Sequence, residues 1–259
     1  MTISTWFRAA TLLATALFFA PAAVSAAAVI AEADCPKEPT RIVVLGDSLA
    51  DGLWGSLFRT YSRCKKVETL RLTKVSDGLA KTSDSGWLGR YAKARTKFET
   101  RESDIVVVQI GANDITTIRE GSRRESFSTE TWKQLYSKRV RNLTAGLKSQ
   151  VSQVFWFGLP IVGKSNLEGP YQTVSMLQAA AVRQAGGVFI DIHDLTKFGT
   201  GAFSQNGTFE GRRLQLRAND KVHFTKSGYD LVAGAVLKKL IKITSERDRR
   251  AALQNVELQ

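Results

Sequence analysis

Apolar and polar positions in this chain of 259 residues alternate between two patterns. Five short apolar runs, rich in β-branched and aromatic residues, occupy Arg41–Leu45, Val67–Leu72, Asp104–Ile110, Val154–Phe157 and Val188–Ile192. Ile105-Val106-Val107-Val108 has no polar alternation, which predicts a strand covered on both faces. Between the runs lie longer amphipathic stretches that predict helices over Leu49–Ser62, Trp87–Phe98, Thr131–Ser149, Tyr171–Gln184 and Lys226–Ile243. The last carries Leu231, Val232, Val236, Leu237, Leu240 and Ile241 on one stripe, with Lys238, Lys239 and Lys242 largely opposite. Strand and helix alternate throughout, which predicts one doubly wound α/β domain whose ligand crevice lies off the carboxyl ends of its strands. Two longer segments, Ile115–Glu130 and Gly199–Asn219, show no strand pattern and read as loops. There is no internal repeat and no Pro- or Gly-rich linker to mark a second domain.

The first residues have the three-part layout of a secretory signal. Arg8 precedes the apolar run Ala9–Ala20, then Pro21, then the small-residue stretch Ala22-Ala23-Val24-Ser25-Ala26, with cleavage expected after Ala26. The alternative is a retained anchor, since Ala9–Ile30 is just long enough to span a bilayer, but Pro21 and the Ala/Ser run favour cleavage. The expected organisation is a signal peptide over 1–26, a short N-terminal segment over 27–40, the α/β domain over 41–245 and a charged tail over 246–259. Export implies a periplasmic or secreted protein with no stable membrane insertion once the signal is removed. In such an oxidising compartment the two cysteines, Cys35 and Cys64, read as one disulfide.

A composition of 43% hydrophobic and 24% charged residues excludes disordered, collagenous and coiled-coil chains. Lys and Arg number 37 against 24 Asp and Glu, and the signal segment removes a single Arg, so the exported part stays strongly cationic. That balance suits an acidic partner. Nucleic acid is set aside, because the chain is addressed for export and carries no nucleic-acid-binding motif. With two histidines and no Cys/His cluster, neither a metal nor another cofactor is expected.

Candidate chemistry gathers at the ends of the strands. After the first, Leu45-Gly46-Asp47-Ser48-Leu49 delivers a serine to the start of a helix, where backbone amides stabilise negative charge; alone, Ser48 would read as a plain N-cap. After the second comes Ser76-Asp77-Gly78-Leu79, and Gly78 there lets a backbone N–H approach a ligand. After the third comes Ile110-Gly111-Ala112-Asn113-Asp114, where Asn113 is able to donate to a developing oxyanion. Just before the last helix, Asp220-Lys221-Val222-His223 spaces a carboxylate to orient an imidazole. His193, in Asp191-Ile192-His193-Asp194, is the alternative base but stands in no such motif.

As an ordered set these residues resemble the SGNH hydrolase (GDSL esterase) family. Its four blocks are carried by Gly46-Asp47-Ser48-Leu49, Gly78, Gly111-Ala112-Asn113-Asp114 and Asp220–His223 with Phe224 after it. Ser76–Leu79, Phe157-Gly158-Leu159-Pro160 and Val222–Thr225 are similar to a periplasmic branch grouped only as a domain of unknown function. The resemblance implies a three-layer α/β/α sandwich of flavodoxin-like SGNH type with a five-stranded parallel sheet. It implies metal-free hydrolysis of carboxylic esters, with Ser48 as nucleophile, His223 as base, Asp220 as its orienting partner, and an oxyanion hole built from Ser48, Gly78 and Asn113. The second block lacks the Asn-x-Gly context of many relatives, and Gly86 is the alternative there. Arg119, Arg123, Arg124, Arg212, Arg213 and Arg217 fall in the two loop segments and are expected to draw an anionic substrate. The expected substrate is a short, acetyl-type ester on a cell-envelope saccharide. Acyl transfer from the same acyl-enzyme and noncatalytic glycan binding are the alternatives.

Overall fold

The structure is a computed structural model that describes residues 35–98, 104–209, 211–234 and 237. The expected signal segment and the charged tail lie outside the described residues. Strand β1 (Thr40–Gly46) leads through helix α1 (Ser48–Thr60) to β2 (Val67–Thr73), and α2 (Asp84–Arg95) leads to β3 (Ile105–Gln109). A hairpin of β4 (Ile118–Glu120) and β5 (Arg123–Glu125) precedes α3 (Glu130–Lys148), β6 (Gln153–Phe157), α4 (Ser165–Gln184) and β7 (Val188–Ile190). A second hairpin, β8 (Asn206–Phe209) and β9 (Arg212–Gln215), comes before the last helix, α5, described over 226–234.

The sheet has the order β2-β1-β3-β6-β7, with every pair parallel. Each position of β1 and β3 is buried, which is why their sequences run apolar without alternating. From β1 the chain steps outward to β2, then returns to the other side of β1 for β3 and continues that way. Right-handed crossovers therefore put α1 on one face of the sheet and α2, α3 and α4 on the other. On the first face α5 joins α1: Ser56 Oγ donates to Asp230 at 2.7 Å, Arg59 pairs with the same carboxylate, and the Tyr229 ring lies against Gly52. The outcome is a three-layer α/β/α sandwich with its switch point between β1 and β3, where the crevice of such a fold opens.

The expected strands and helices occur with shifted ends, except that the expected last helix is described only over 226–234 and at 237, and the rest of its span to Ile243 lies outside the described residues. Ser83 caps α2 by accepting the Gly86 N–H, so that helix starts before Trp87. Helix α4 starts at Ser165 and carries Pro170 in its second turn, where the sequence pattern begins it at Tyr171. The two segments read as strandless are corrected: each holds an antiparallel hairpin with a two-residue loop. Cys35 and Cys64 are bonded, with Cα atoms 5.4 Å apart, fastening the start of the described chain to the turn after α1.

Candidate active site

The loops that follow β1, β2 and β3 meet at the switch point. At the end of β1, Gly46 has φ +146°, and a Cβ there would lie 1.8 Å from the Gln109 carbonyl oxygen, so glycine alone permits the turn against β3. Asp47, and not Ser48, is the N-cap of α1: its Oδ1 accepts the Leu49 N–H at 2.9 Å. Ser48 thus becomes the first helical residue, half-buried, with an N–H that has no partner inside the helix. Asp47 Oδ2 accepts the N–H groups of Gly111 and Ala112, each at 3.0 Å, and so ties the serine loop to the loop after β3. Asp114 ties that loop to the one after β2. Its Oδ1 accepts the Ala80 N–H at 2.9 Å and its Oδ2 the Tyr136 hydroxyl at 2.8 Å. Burial pushes Asp47 up to about 7 and Asp114 up to about 6, the hydrogen bonds they accept pulling only part of the way back.

Asn113 is half-buried, and its Nδ2 donates to the Asp77 carbonyl at 3.0 Å, which leaves its second N–H to serve the crevice. Gly78 lies next to that carbonyl and directly over Asp114. Its own N–H donates to Asp77 Oδ1 at 2.8 Å, so in this structure that donor is engaged, unlike the N–H of Ser48. Burial disfavours the Asp77 charge, but bonds from Lys74, Gly78 and Thr82 outweigh it and hold the carboxyl below its usual range. Gly86 belongs elsewhere, in the first turn of α2 with its N–H on Ser83 Oγ.

The turn before α5 closes the constellation. His223 Nε2 lies 2.7 Å from Ser48 Oγ, and His223 Nδ1 lies 2.6 Å from Asp220 Oδ2. Asp220 Oδ1 accepts the N–H groups of Val222 at 2.8 Å and His223 at 2.9 Å, folding the four residues into a turn in which Lys221 takes φ +62°. Burial works against the Asp220 charge, yet the His223 ring and these two amides lower it to about 2. A carboxylate with that charge fixes the tautomer whose Nε2 faces the serine and stabilises an imidazolium once the proton arrives. His193 is held away from Ser48, with Nε2 2.6 Å from Glu168 Oε1.

Arg217 departs from its expected role of meeting substrate. It is fully buried, donates from Nη1 to the Ile161 carbonyl and from Nη2 to the Val222 carbonyl, both at 2.7 Å, and lies 4.3 Å from the Phe224 ring centroid. Burial lowers it to about 10. It is a buried strut beneath the Asp220–His223 turn. Arg119, Arg123 and Arg124 stand exposed on the first hairpin, and Arg212 and Arg213 on the second. Among the described residues no group of three or more His, Cys, Asp or Glu side chains is arranged to hold a metal ion.

The family described as "Protein of unknown function (DUF459)" matches residues 41–239. The chain belongs to this family. No curated protein matches the DUF459 chain in sequence. Among solved structures it is similar to LAE5, an alpha/beta hydrolase enzyme from the metagenome of Lake Arreo, Spain, at 14% identity and a TM-score of 0.55, covering 78% of this chain and 95% of that one. It is similar to a member of the lipolytic protein G-D-S-L family from Veillonella parvula at 15% identity and a TM-score of 0.52, covering 77% and 97%. It is also similar to Axe2, an acetylxylan esterase from Geobacillus stearothermophilus, at 15% identity and a TM-score of 0.52, covering 79% and 95%. At such identities the likeness is one of fold, and the DUF459 chain has the SGNH hydrolase fold.

Asp47, Asp114, Tyr136 and Gln178 were given no role by sequence reasoning, yet they lace the loops together. Gln178 Nε2 donates to the Ile110 carbonyl at 2.7 Å and to the Tyr136 hydroxyl at 2.9 Å. The available signal was the placing of acidic residues inside two strand-end turns, next to a serine and an asparagine.

Proposed function

We propose that this protein is a serine-dependent hydrolase of carboxylic esters that removes a short acyl group, acetyl in type, from a cell-envelope saccharide. The observation that carries the reading is the hydrogen-bonded series Ser48 Oγ to His223 Nε2 and His223 Nδ1 to Asp220 Oδ2. His223 takes the hydroxyl proton as Ser48 Oγ attacks the ester carbonyl, and Asp220 stabilises the imidazolium that forms. The carbonyl π electrons move onto oxygen, which accepts from the free Ser48 N–H and the second N–H of Asn113 Nδ2. The Gly78 N–H becomes the third donor when Asp77 Oδ1 releases it.

Collapse of the tetrahedral species expels the alcohol, which takes the proton from His223 and leaves an acyl-Ser48. Water, deprotonated by the same imidazole, attacks the acyl group, and release of the acid restores the hydroxyl. No metal or cofactor enters these steps. An acetylxylan esterase of the same fold supports the assignment of a saccharide acetate. The signal-like N-terminus supports a periplasmic or secreted site of action, with no membrane insertion and no nucleic-acid partner. The exposed arginines of the two hairpins supply a positive field for an anionic substrate.

Chromogenic esters of increasing acyl length test the reading. Turnover is expected to be fastest with acetate and absent from Ser48→Ala. Failure of the intact protein on every ester, or a Ser48→Ala variant that retains turnover, would overturn it.

A further inference from the structure

Among the described residues the sheet ends at β2, with no strand on its outer side. Between β2 and α2 runs an open groove of about 520 Å³ with Leu70, Leu72 and Phe98 in its apolar lining. Arg90, Lys93 and Lys97 also line it. Spacings of three and four residues put these cations on one side of α2 and its C-terminal turn, over about 10 Å of helix rise.

Among the described residues that line the groove, Arg71, Arg90, Lys93 and Lys97 stand against one acid. Its acidic lining residue, Glu68, is paired at 2.8 Å with Arg41, which also holds the buried Asp104 at 3.0 Å. Arg90 approaches Asp77 no closer than 3.8 Å, and Lys74 holds that carboxylate at 2.9 Å. Lys93 and Lys97 are exposed and have no acidic partner within ion-pair distance among the described residues.

The groove also reaches the last residue of β2. Its upper end is Thr73, which pairs in register with Gly46, two residues before Ser48. The Lys74 N–H donates to the Gly46 carbonyl at 2.8 Å, fastening that end of β2 to the serine turn.

From this arrangement we infer that the groove is a binding cleft for the anionic stretch of a carboxylate-bearing polysaccharide, laid along the sheet edge so that its ester-bearing unit reaches Ser48. The inference rests on the ester hydrolase reading and names its substrate class. Apolar lining suits the C–H faces of sugar rings, and the cations on α2 suit carboxylates spaced along the chain. An acidic peptide would meet the same charges, but it brings no ester to the serine. Glu68 and Arg71, charged residues on the edge strand itself, also work against the addition of a peptide strand.

The test compares the full chain with Lys93→Gln/Lys97→Gln and Lys93→Glu/Lys97→Glu. Turnover is measured on acetylated polygalacturonate and on para-nitrophenyl acetate, and binding of unacetylated polygalacturonate is measured by calorimetry at low and high salt. The neutral double variant is expected to raise KM for the polymer about three- to tenfold, with kcat and small-ester turnover unchanged, and the reversed variant to raise it further. Polygalacturonate affinity should fall in step and weaken with salt. Polymer KM and affinity that ignore both double variants would overturn the inference while leaving the hydrolase reading intact. Polyglutamate binding more tightly than polygalacturonate would overturn it in favour of a peptide. If neither ester is turned over, the hydrolase reading fails, and the binding measurement alone decides the cleft.

Discussion

Replacing Gly78 by alanine tests how rigidly the loops of the site are laced. The added Cβ would fall 2.0 Å from Asp114 Oδ1 and 2.8 Å from its Cγ. That carboxylate has nowhere to retreat, being buried and held by Ala80 N–H on one oxygen and the Tyr136 hydroxyl on the other. Relief comes either by giving up hydrogen bonds to a charged group, about 1.5–3 kcal/mol each, or by moving the packed backbone, about 1–3 kcal/mol. A loss of roughly 2–5 kcal/mol lowers the melting temperature by roughly 5–15 °C for a chain of this size. Thermal melts followed by circular dichroism read the shift. Gly86→Ala is the control, since its Cβ meets the methyl end of the Thr82 side chain near the surface and should leave Tm within about 2 °C. Shortening the obstacle should relieve the clash, so Gly78→Ala/Asp114→Ser is expected to lose less than the two single variants added together. A Gly78→Ala protein that melts with the wild type, or single losses that simply add, would refute the reasoning.

Asn113→Ala should lower kcat about a hundred- to a thousandfold with little change in Tm, because it removes the proposed oxyanion donor and a single hydrogen bond to the Asp77 carbonyl; ester kinetics beside a melt check both. Asp47 and Asp114, at about 7 and about 6, lie above their unfolded values, so the folded state binds these protons more tightly. Their contribution to stability is full below about pH 4 and is lost as pH rises through about 6 to 7, whereas that of Asp220, lowered to about 2, is lost only as pH falls below about 4. Melts across that range should therefore show Asp114→Asn losing less Tm than the wild type as pH rises toward neutrality, and parallel curves would contradict the assignment. The Cys35–Cys64 bond closes a separation of 29 residues, worth about 3–4 kcal/mol by chain entropy, so reductant should lower Tm by roughly 7–15 °C. An unchanged melt with both thiols alkylated would show that the bridge does not stabilise the fold.

The fold was legible because its central strands are buried on both faces. Val106, Val107 and Val108 are apolar without interruption for the same reason that they are fully buried. The two hairpins were not legible: β4, β5 and β9 are three or four residues long and mostly charged, too short for a period-two pattern to emerge. Only Gly121-Ser122 and Gly211, sitting in the two-residue loops, hinted at them. Within the site, the order Ser48, Gly78, Asn113, Asp220 and His223 was readable because each follows a strand or precedes a helix. The burial of Arg217 was not, since a single basic residue has no periodicity to show which way it faces. Nor were the roles of Asp47 and Asp114, which depend on N–H groups distant in sequence, Gly111 and Ala112 for one and Ala80 for the other. The Gly78 amide also stands differently from expectation, because its neighbour Asp77 is held by Lys74 and Thr82 in a position to accept from it.

The central claim is that Ser48 is a nucleophile activated by His223. Its most direct measurement is reaction of the protein with an active-site-directed organophosphofluoridate, followed by intact mass and peptide mapping. The account predicts one phosphoryl group per chain, located on Ser48, abolished by Ser48→Ala and strongly slowed by His223→Ala, with esterase turnover lost in proportion to labelling. Label on another residue, or turnover that survives complete labelling of Ser48, would contradict it.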